Sequence, residues 1–473
     1  MKYLNYQAKS KNWLFSVFFL CVSLSYLLGQ SGRPNIILIN ADDLGWKDLG
    51  IYGSSFYETP NIDALARSGM LFTQAYSAAA NCAPSRACML TGLQTPRHGI
   101  YTVGTSERGN PEDRRLVPVQ NTTVLSDSFI TLLDYMQTLD YYTISIGKWH
   151  LAEDPRSYGV DENIAGNRGG HPRSYFSPYQ NRNLPDGPDG EFLTDRLTDE
   201  AIRFLERKHE ENFFLYLPYF AVHTPLMAKE EKIEKYRSRQ VDPGQDHAVY
   251  AAMIESLDEN VGRLMQALTA LELRSNTLVI FTSDNGGICH ISSQRPLRAG
   301  KGSYYEGGIR VPLIFSWPGQ IEKSSICDDP VTNLDFFPTL IDLLSKGDES
   351  SHPQLDGHSL LPVLLNGEPL PPRPLYWHFP IYLESYAGIH DEARDTLFRT
   401  RPGMVVRFGE WKLHEYFEDN TFELYHLGLD PSEQKNLSEI YPEKRDILYS
   451  LMKKWREEMN APVPEEQNPL FKP

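Results

Sequence analysis

The chain has 473 residues, 41% hydrophobic and 23% charged, which is room for a large core in two structural units. A formal net charge of −16 and a pI near 5.3 exclude nonspecific nucleic-acid binding, which needs a basic face. The same charge requires that any site for an anion be locally basic.

In chain order, the first feature is a segment with Lys2, Lys9 and Lys11 ahead of an apolar run at 13–28. It is short for a membrane span and reads as a secretory signal over residues 1–30, cleaved near Gly29 or Gln30. The expectation is an exported protein, periplasmic or secreted, with no stable membrane insertion. Cys21 lies in that run without small residues before it, which argues against a lipoprotein anchor. Beyond it stand Cys82, Cys88, Cys289 and Cys327. With Cys82 set aside for chemistry, three remain, an odd number that argues against a disulfide framework and leaves one bridge open.

Four continuous apolar runs follow, each ending on polar residues. Residues 35–39 lead to Asp42-Asp43, and 142–146 to Lys148 and His150. Residues 213–219 lead to His223, and 277–281 to Asp284-Asn285. Continuous rather than alternating apolar character marks strands buried on both faces, as in a parallel sheet. Helical patterns lie between them. At 250–273, Ile254, Leu257, Val261, Leu264, Met265 and Leu268 share one face. The fold class is therefore α/β, a mostly parallel sheet with helices on both sides. Ligands of such sheets sit beyond the carboxyl ends of the strands, which puts all four polar groups on one edge.

Gly159 to Gly190 form a long loop rich in Gly, Pro, Asn and Arg, and long loops of this kind carry function. Its basic stretch holds His171 and Arg173, candidates for substrate binding. Tyr175, Phe176 and Tyr179, with Trp46, suit either stacking on a sugar face or packing. Pro369, Pro371, Pro372 and Pro374 mark a boundary near residue 370, giving units at 31–370 and 371–473. The second reads as a small antiparallel sheet, with strands at 404–407 and 411–416, and a terminal amphipathic helix at 442–459. His98 and His378 are weaker site candidates. Asn121-Thr122-Thr123 and Asn436-Leu437-Ser438 match glycosylation acceptors.

The chemistry-bearing segment is Cys82-Ala83-Pro84-Ser85-Arg86, closing on Leu90-Thr91-Gly92. It reads as a helix start, with Asn81 or Cys82 as cap and Pro84 in the first turn. A helix N-terminus suits an oxyanion, and Arg86 adds a cation with fork geometry. Asp42, Asp43, Asp284 and Asn285 make a hard-oxygen set suited to calcium or magnesium rather than zinc. Lys148, His150 and Lys301 add positive charge, and Lys148 and His150 share a face in an extended segment.

With Ala41-Asp42-Asp43-Leu44-Gly45, Gly147-Lys148-Trp149-His150, His223-Thr224-Pro225, Ser283-Asp284-Asn285-Gly286-Gly287 and Arg298-Ala299-Gly300-Lys301 in order, the chain resembles the type I sulfatases from about residue 33 to 459. The resemblance implies an alkaline-phosphatase-like sheet sandwiched by helices, with a smaller C-terminal antiparallel subdomain and helix. It implies that a maturation enzyme oxidises Cys82 to formylglycine (3-oxoalanine). Calcium would be held by Asp42, Asp43, Asp284, Asn285 and residue 82. A hydroxyl of the aldehyde hydrate attacks sulfur, with His150 as the candidate base that acts on the hydrate; the alcohol leaves with a proton from His223 or a nearby acid, and deprotonation of the second hydroxyl expels sulfate. Arg86, Lys148 and Lys301 would stabilise the transferring group. The expected substrate is a carbohydrate O-sulfate, as for secreted bacterial sulfatases akin to arylsulfatase A and the N-acetylgalactosamine sulfatases. The alternatives are a phosphatase or phosphonate monoester hydrolase of the same superfamily, and a non-catalytic glycan-binding protein.

Overall fold

A strand apolar at every position must be covered on both faces. In the computed structural model, which describes residues 33–345, 353–389 and 391–472, β1 (Asn35–Ala41) is buried along its whole length. Ile37 and Ile39 enter one core, while Ile36 and Leu38 enter the other, following the two-residue alternation of strand side chains. The apolar run read as a secretory signal lies outside the described residues, as does Cys21.

Beside β1 stand β2 (Met70–Phe72), β3 (Tyr142–Ile146), β4 (Glu162–Ile164), β5 (Phe213–Pro218), β6 (Thr277–Ser283), β7 (Leu313–Ser316) and β8 (Ser325–Cys327). They form one eight-stranded sheet in the order β4-β3-β5-β1-β6-β7-β2-β8. The first five are mutually parallel, and β7 runs against both its neighbours.

The helices divide by face. They are α1 (Pro60–Arg67), α2 (Cys82–Thr91), α3 (Leu132–Thr138), α4 (Leu193–Lys208), α5 (Ala248–Ala270) and α6 (Phe336–Leu344). Leu65 of α1, Leu197 and Phe204 of α4, and Ile254, Leu257 and Val261 of α5 pack with Ile37 and Ile39. Ala87 and Leu90 of α2, Leu132 and Met136 of α3, and Phe337 and Leu340 of α6 pack with Ile36 and Leu38. This is the helix-covered, mostly parallel sheet expected from the sequence. Among the described residues no helix is long and apolar enough to cross a membrane, and Cys82, Cys88, Cys289 and Cys327 are free thiols.

A second sheet is antiparallel, in the order β9 (Leu375–Phe379), β10 (Gly403–Phe408), β11 (Trp411–Tyr416) and β12 (Thr421–His426). Helix α7 (Pro442–Met459) covers one face, packing Leu448, Met452 and Trp455 on Met404, Val406 and Leu413. The other face docks Trp377, Phe379 and Val405 against Tyr76, Tyr304 and Ile309 of the larger unit. Buried charges cross this seam. Lys412 Nζ lies 3.0 Å from Glu306 Oε1 and 2.9 Å from Glu433 Oε1, and the Tyr76 hydroxyl donates to Glu306 at 2.7 Å. Nearby, Arg399 Nη1 donates to the carbonyl of Lys301 at 3.2 Å. The C-terminal unit thus grips the segment that carries Lys301.

Both glycosylation-like asparagines spend their amides on the fold. Asn121 Nδ2 donates to the carbonyls of Thr102 and Gly104, and Asn436 Nδ2 to that of Phe422.

Candidate active site

Strands β3, β5, β1 and β6 are adjacent and parallel, so their carboxyl ends open on one edge. Main-chain bonds continue past the strand ends and fix the four polar segments relative to one another. Asp42 N donates to Ala221 O at 2.9 Å, and Val222 N returns to Asp42 O at 2.8 Å. Lys148 N bonds Pro218 O at 2.8 Å, and Asp284 N bonds Ala41 O at 3.2 Å. Gly147 permits this approach. It sits at φ +126°, and a Cβ there would lie 2.0 Å from Pro218 O.

Cys82 is the first residue of α2. Asn81 occupies the cap position through its backbone, its carbonyl accepting from Ser85 N at 3.1 Å, but its side chain makes no cap bond. The Cys82 thiol is 2% exposed, with Sγ 3.8 Å from Asp43 Oδ1. Burial alone would raise its pKa, but Lys148 and Lys301 outweigh burial and bring it down to about 7.

Ligand atoms of Asp42, Asp43, Cys82 and His223 all lie within 4.8 Å of one another. Asp284 and Asn285 adjoin this group. Asp284 Oδ1 accepts from Asp43 N at 3.2 Å, and Asn285 Nδ2 donates to Asp43 Oδ1 at 2.8 Å. Two oxygens here, Asp42 Oδ1 and Asn285 Oδ1, are buried without a hydrogen-bond partner. Buried acceptors are rarely left so, because the desolvation cost goes unrecovered. Three carboxylates and an amide oxygen, with two of these oxygens making no hydrogen bond, fit a hard cation such as calcium.

The cations answer these carboxylates. Lys148 Nζ is 2.7 Å from Asp42 Oδ2, and Lys301 Nζ is 2.7 Å from Asp43 Oδ2. Burial raises the Asp42 carboxyl despite Lys148. Burial would raise Asp43 as well, but Lys301, His223 and Lys148 hold it well below the usual range.

Arg86 lies inside the cluster, and its Nη2 is buried without a hydrogen-bond partner, 3.8 Å from Asp42 Oδ1. Its guanidinium is fully buried, with Nε 2.8 Å from Asp284 Oδ2 and Nη1 donating to Lys148 O at 3.0 Å and Tyr216 OH at 3.3 Å. It holds the carboxylate edge in place. The reason is its position on the second turn of α2, which aims the side chain under the strand ends.

The two histidines are built differently. His223 Nδ1 donates to the Thr224 carbonyl at 2.7 Å, and its Nε2 lies 3.5 Å from Asp43 Oδ2. Burial and Lys301 lower its pKa, but Asp43 and Asp42 prevail and the net shift is upward. His150 Nδ1 is buried without a partner. Burial first, then Lys148 and Arg86, lower its pKa and keep it neutral. Its backbone has φ +68°, and its N–H donates to Asn167 O at 2.9 Å. The long loop crosses directly over its ring, where a Cβ on Gly170 would lie 2.5 Å from His150 Nε2.

The loop residues separate into rim and support. The exposed His171 ring stacks on His223, with centroids 6.1 Å apart and planes at 11°. Arg173 is exposed on the same loop, bonded to Gln180 Oε1 at 3.4 Å. Tyr175 and Tyr179 are buried, and Trp46 bonds Thr73 O through Nε1, so these rings pack rather than wait for a sugar. Sequence reasoning missed what Tyr175 does. Its hydroxyl lies 2.6 Å from Phe220 O and 2.8 Å from His223 O, where it fixes the main chain under the histidine. It also missed Tyr386, whose ring lies under Arg399 at 3.8 Å and beside His290 at 4.6 Å. No motif marks that residue. His98 and His378 are buried away from the cluster, against Cys88 and Pro462.

Residues 34–346 match the family model described as sulfatase. The chain belongs to the sulfatase family. Residues 300–461 also match the model for the C-terminal part of N-sulphoglucosamine sulphohydrolase. A sulfatase of Formosa agariphila is 32% identical over 91% of this chain and 90% of its own length. The N-acetylgalactosamine-6-sulfatase of Canis lupus familiaris is 32% identical over 87% of this chain and 78% of its own. The crystal structure of Ps i-CgsB in complex with k-i-k-neocarrahexaose aligns with a TM-score of 0.73 at 30% identity, covering 90% of this chain and 93% of that one. Like its relatives, this sulfatase is a sulfuric ester hydrolase, built on the alkaline-phosphatase-like sheet described above.

Proposed function

We propose that this sulfatase removes an O-sulfate from a sulfated oligosaccharide or polysaccharide, using formylglycine made from Cys82, and that it acts after export. The observation that carries the reading is a buried sulfur at a helix N-terminus, 3.8 Å from Asp43 Oδ1, beside buried oxygens on Asp42 and Asn285 that make no hydrogen bond. Relatives named for sugar sulfates, and a structural neighbour in complex with k-i-k-neocarrahexaose, support the substrate class.

Asp42, Asp43, Asp284 and Asn285 would hold calcium, with residue 82 alongside. Bound there, calcium supplies Lewis-acid polarisation and offsets the charge of the sulfate group. Formylglycine supplies an oxygen nucleophile as its hydrate and a second hydroxyl on the same carbon, which lets sulfate leave without slow ester hydrolysis.

The chain's own groups do the rest. Lys148 and Lys301, each 2.7 Å from a carboxylate, supply ammonium groups that stabilise charge on the transferring group. Arg86 is a positioning residue, keeping Asp284 and the Lys148 main chain in register. His223 already donates Nδ1–H to Thr224 O, so its Nε2, 3.5 Å from Asp43 Oδ2, is the atom that delivers a proton to the departing sugar oxygen. His150 Nδ1, neutral and without a partner, is the atom that accepts one. His171 and Arg173 stand on the rim where the sugar would pass.

The test is the peptide mass across Cys82 after co-expression with a formylglycine-generating enzyme, paired with release of inorganic sulfate. An aldehyde at residue 82, with sulfate release abolished in Cys82→Ala, is the expected result. An unmodified thiol without turnover would overturn it. Faster release of phosphate from matched phosphate esters would shift the reading to a phosphoester hydrolase.

A further inference from the structure

Beside the histidines the long loop encloses a cavity of about 240 Å³, lined among others by Arg168, Arg173, Arg182, Asn167, Asn181 and His171. We infer that this cavity binds a second oxyanion, a sulfate ester or a carboxylate, carried on the same oligosaccharide as the ester that is cleaved. The inference rests on the carbohydrate-sulfatase reading and deepens it, because it makes the substrate a polyanion.

Charge is the first argument. A chain with a net charge of −16 repels a polyanion on average, so attraction has to be local. Three arginines line the cavity against one carboxylate, Glu153, which sits 3.2 Å from Arg182 and is answered by it. Arg168 and Arg173 have no carboxylate partner among the described residues. Arg168 Nη2 donates to Thr123 Oγ1 at 2.9 Å and Arg173 Nη1 to Gln180 Oε1 at 3.4 Å. Each guanidinium carries five N–H groups in a planar fork, so most donors of both remain for an oxyanion.

Placement is the second argument. The wall of the cavity and the catalytic histidines are one construction. The Asn167 carbonyl accepts from His150 N, Gly170 lies against the His150 ring, and His171 stacks on His223. The loop is also braced before any ligand arrives. Asn181 Nδ2 bonds Ala165 O at 3.0 Å, Asn167 Nδ2 bonds the same carbonyl at 3.1 Å, and Asn183 Nδ2 bonds Gly166 O at 2.5 Å. A preformed basic cavity adds affinity without the cost of ordering a loop.

The experiment is a binding titration of the Cys82→Ala protein, which does not turn over. One probe pair is a doubly sulfated disaccharide and its singly sulfated counterpart. The other is a singly sulfated disaccharide with and without a uronate. The parent should favour the doubly charged member of at least one pair by about tenfold at low salt, with a preference that falls as salt rises. Which pair shows it distinguishes sulfate from carboxylate. Adding Arg168→Ala and Arg173→Ala should reduce the preference to about twofold or less, while Arg203→Ala, on α4, should leave it intact. Equal binding of both members of both pairs, or a preference that survives the double arginine change, would overturn the inference. Failure of the broader reading looks different: no sulfate released from any sulfated sugar by protein carrying the aldehyde.

Discussion

Replacing Lys412 with Met tests how the two units are held together. Lys412 is fully buried between Glu306 and Glu433, at 3.0 and 2.9 Å. Burial pushes the Glu433 carboxyl up to about 7, even though Lys412 acts to lower it. Glu306 is held low by Lys412, Arg310 and Arg407 against its own burial. A carboxyl raised in the folded state contributes stability at low pH that is lost as pH rises through its folded pKa. From the ordinary 4.5 to about 7, Glu433 therefore accounts for roughly 3 kcal/mol, lost between mildly acidic and neutral pH. Lys412→Met removes the cation and leaves two neighbouring buried carboxylates. Breaking a buried pair from one side costs about 3–5 kcal/mol. Near pH 6 Glu433 can stay protonated and soften that cost, whereas near pH 8.5 it cannot without further penalty. Urea unfolding of parent and variant at both pH values, with the metal state held constant, reads the difference directly. The variant should lose more stability at the higher pH. A loss below about 1 kcal/mol there, or an equal loss at both, would refute the reasoning. Glu306 follows Lys301 by five residues, so sulfate release should fall along with stability.

Gly170→Ala forces a Cβ to within 2.5 Å of His150 Nε2; sulfate release should drop at least about tenfold, since small misplacements of a reacting group are costly, with the urea midpoint little changed. Tyr175→Phe removes the hydroxyl donor from the buried Phe220 carbonyl and the half-buried His223 carbonyl and should cost about 1–3 kcal/mol of stability. Its rate loss should be larger for esters of poor leaving alcohols than for activated ones, as expected if His223 is displaced. Chelating divalent ions should lower the calorimetric melting temperature, because Asp42, Asp43 and Asp284 are buried together. Calcium should restore it more fully than zinc, given an oxygen donor set.

The gathering of these segments at one sheet edge was readable because its physics is local to each segment. An apolar run such as 35–39 has one use in an α/β protein, and the polar pair that ends it must emerge at the sheet edge. The terminal helix was equally plain, and α7 spans Pro442–Met459 as its periodicity suggested. What the sequence could not convey was direction across space. Arg86 is an arginine after a helix start, and nothing local says that it turns inward to Asp284 rather than outward. Tyr175 and Tyr179 sit in a loop whose composition suits a sugar, yet tertiary packing buries both. The reversal of β7 depends on a connection through 284–312 that has no periodic pattern. Tyr386 reaches the Lys301 side only because the C-terminal unit folds back, a long-range event with no signal in the residues around it.

The reciprocal main-chain pair between Asp42 and the 221–222 segment bears on how such a protein can change over generations. The spacing between the carboxylate cluster and the leaving-group side is written in backbone, which no side-chain substitution erases. The loop at 159–190, by contrast, presents its exposed residues, among them Arg168, His171 and Arg173, as side chains. Inheritance can therefore rewrite what the mouth accepts while the distance across the reacting centre stays constant.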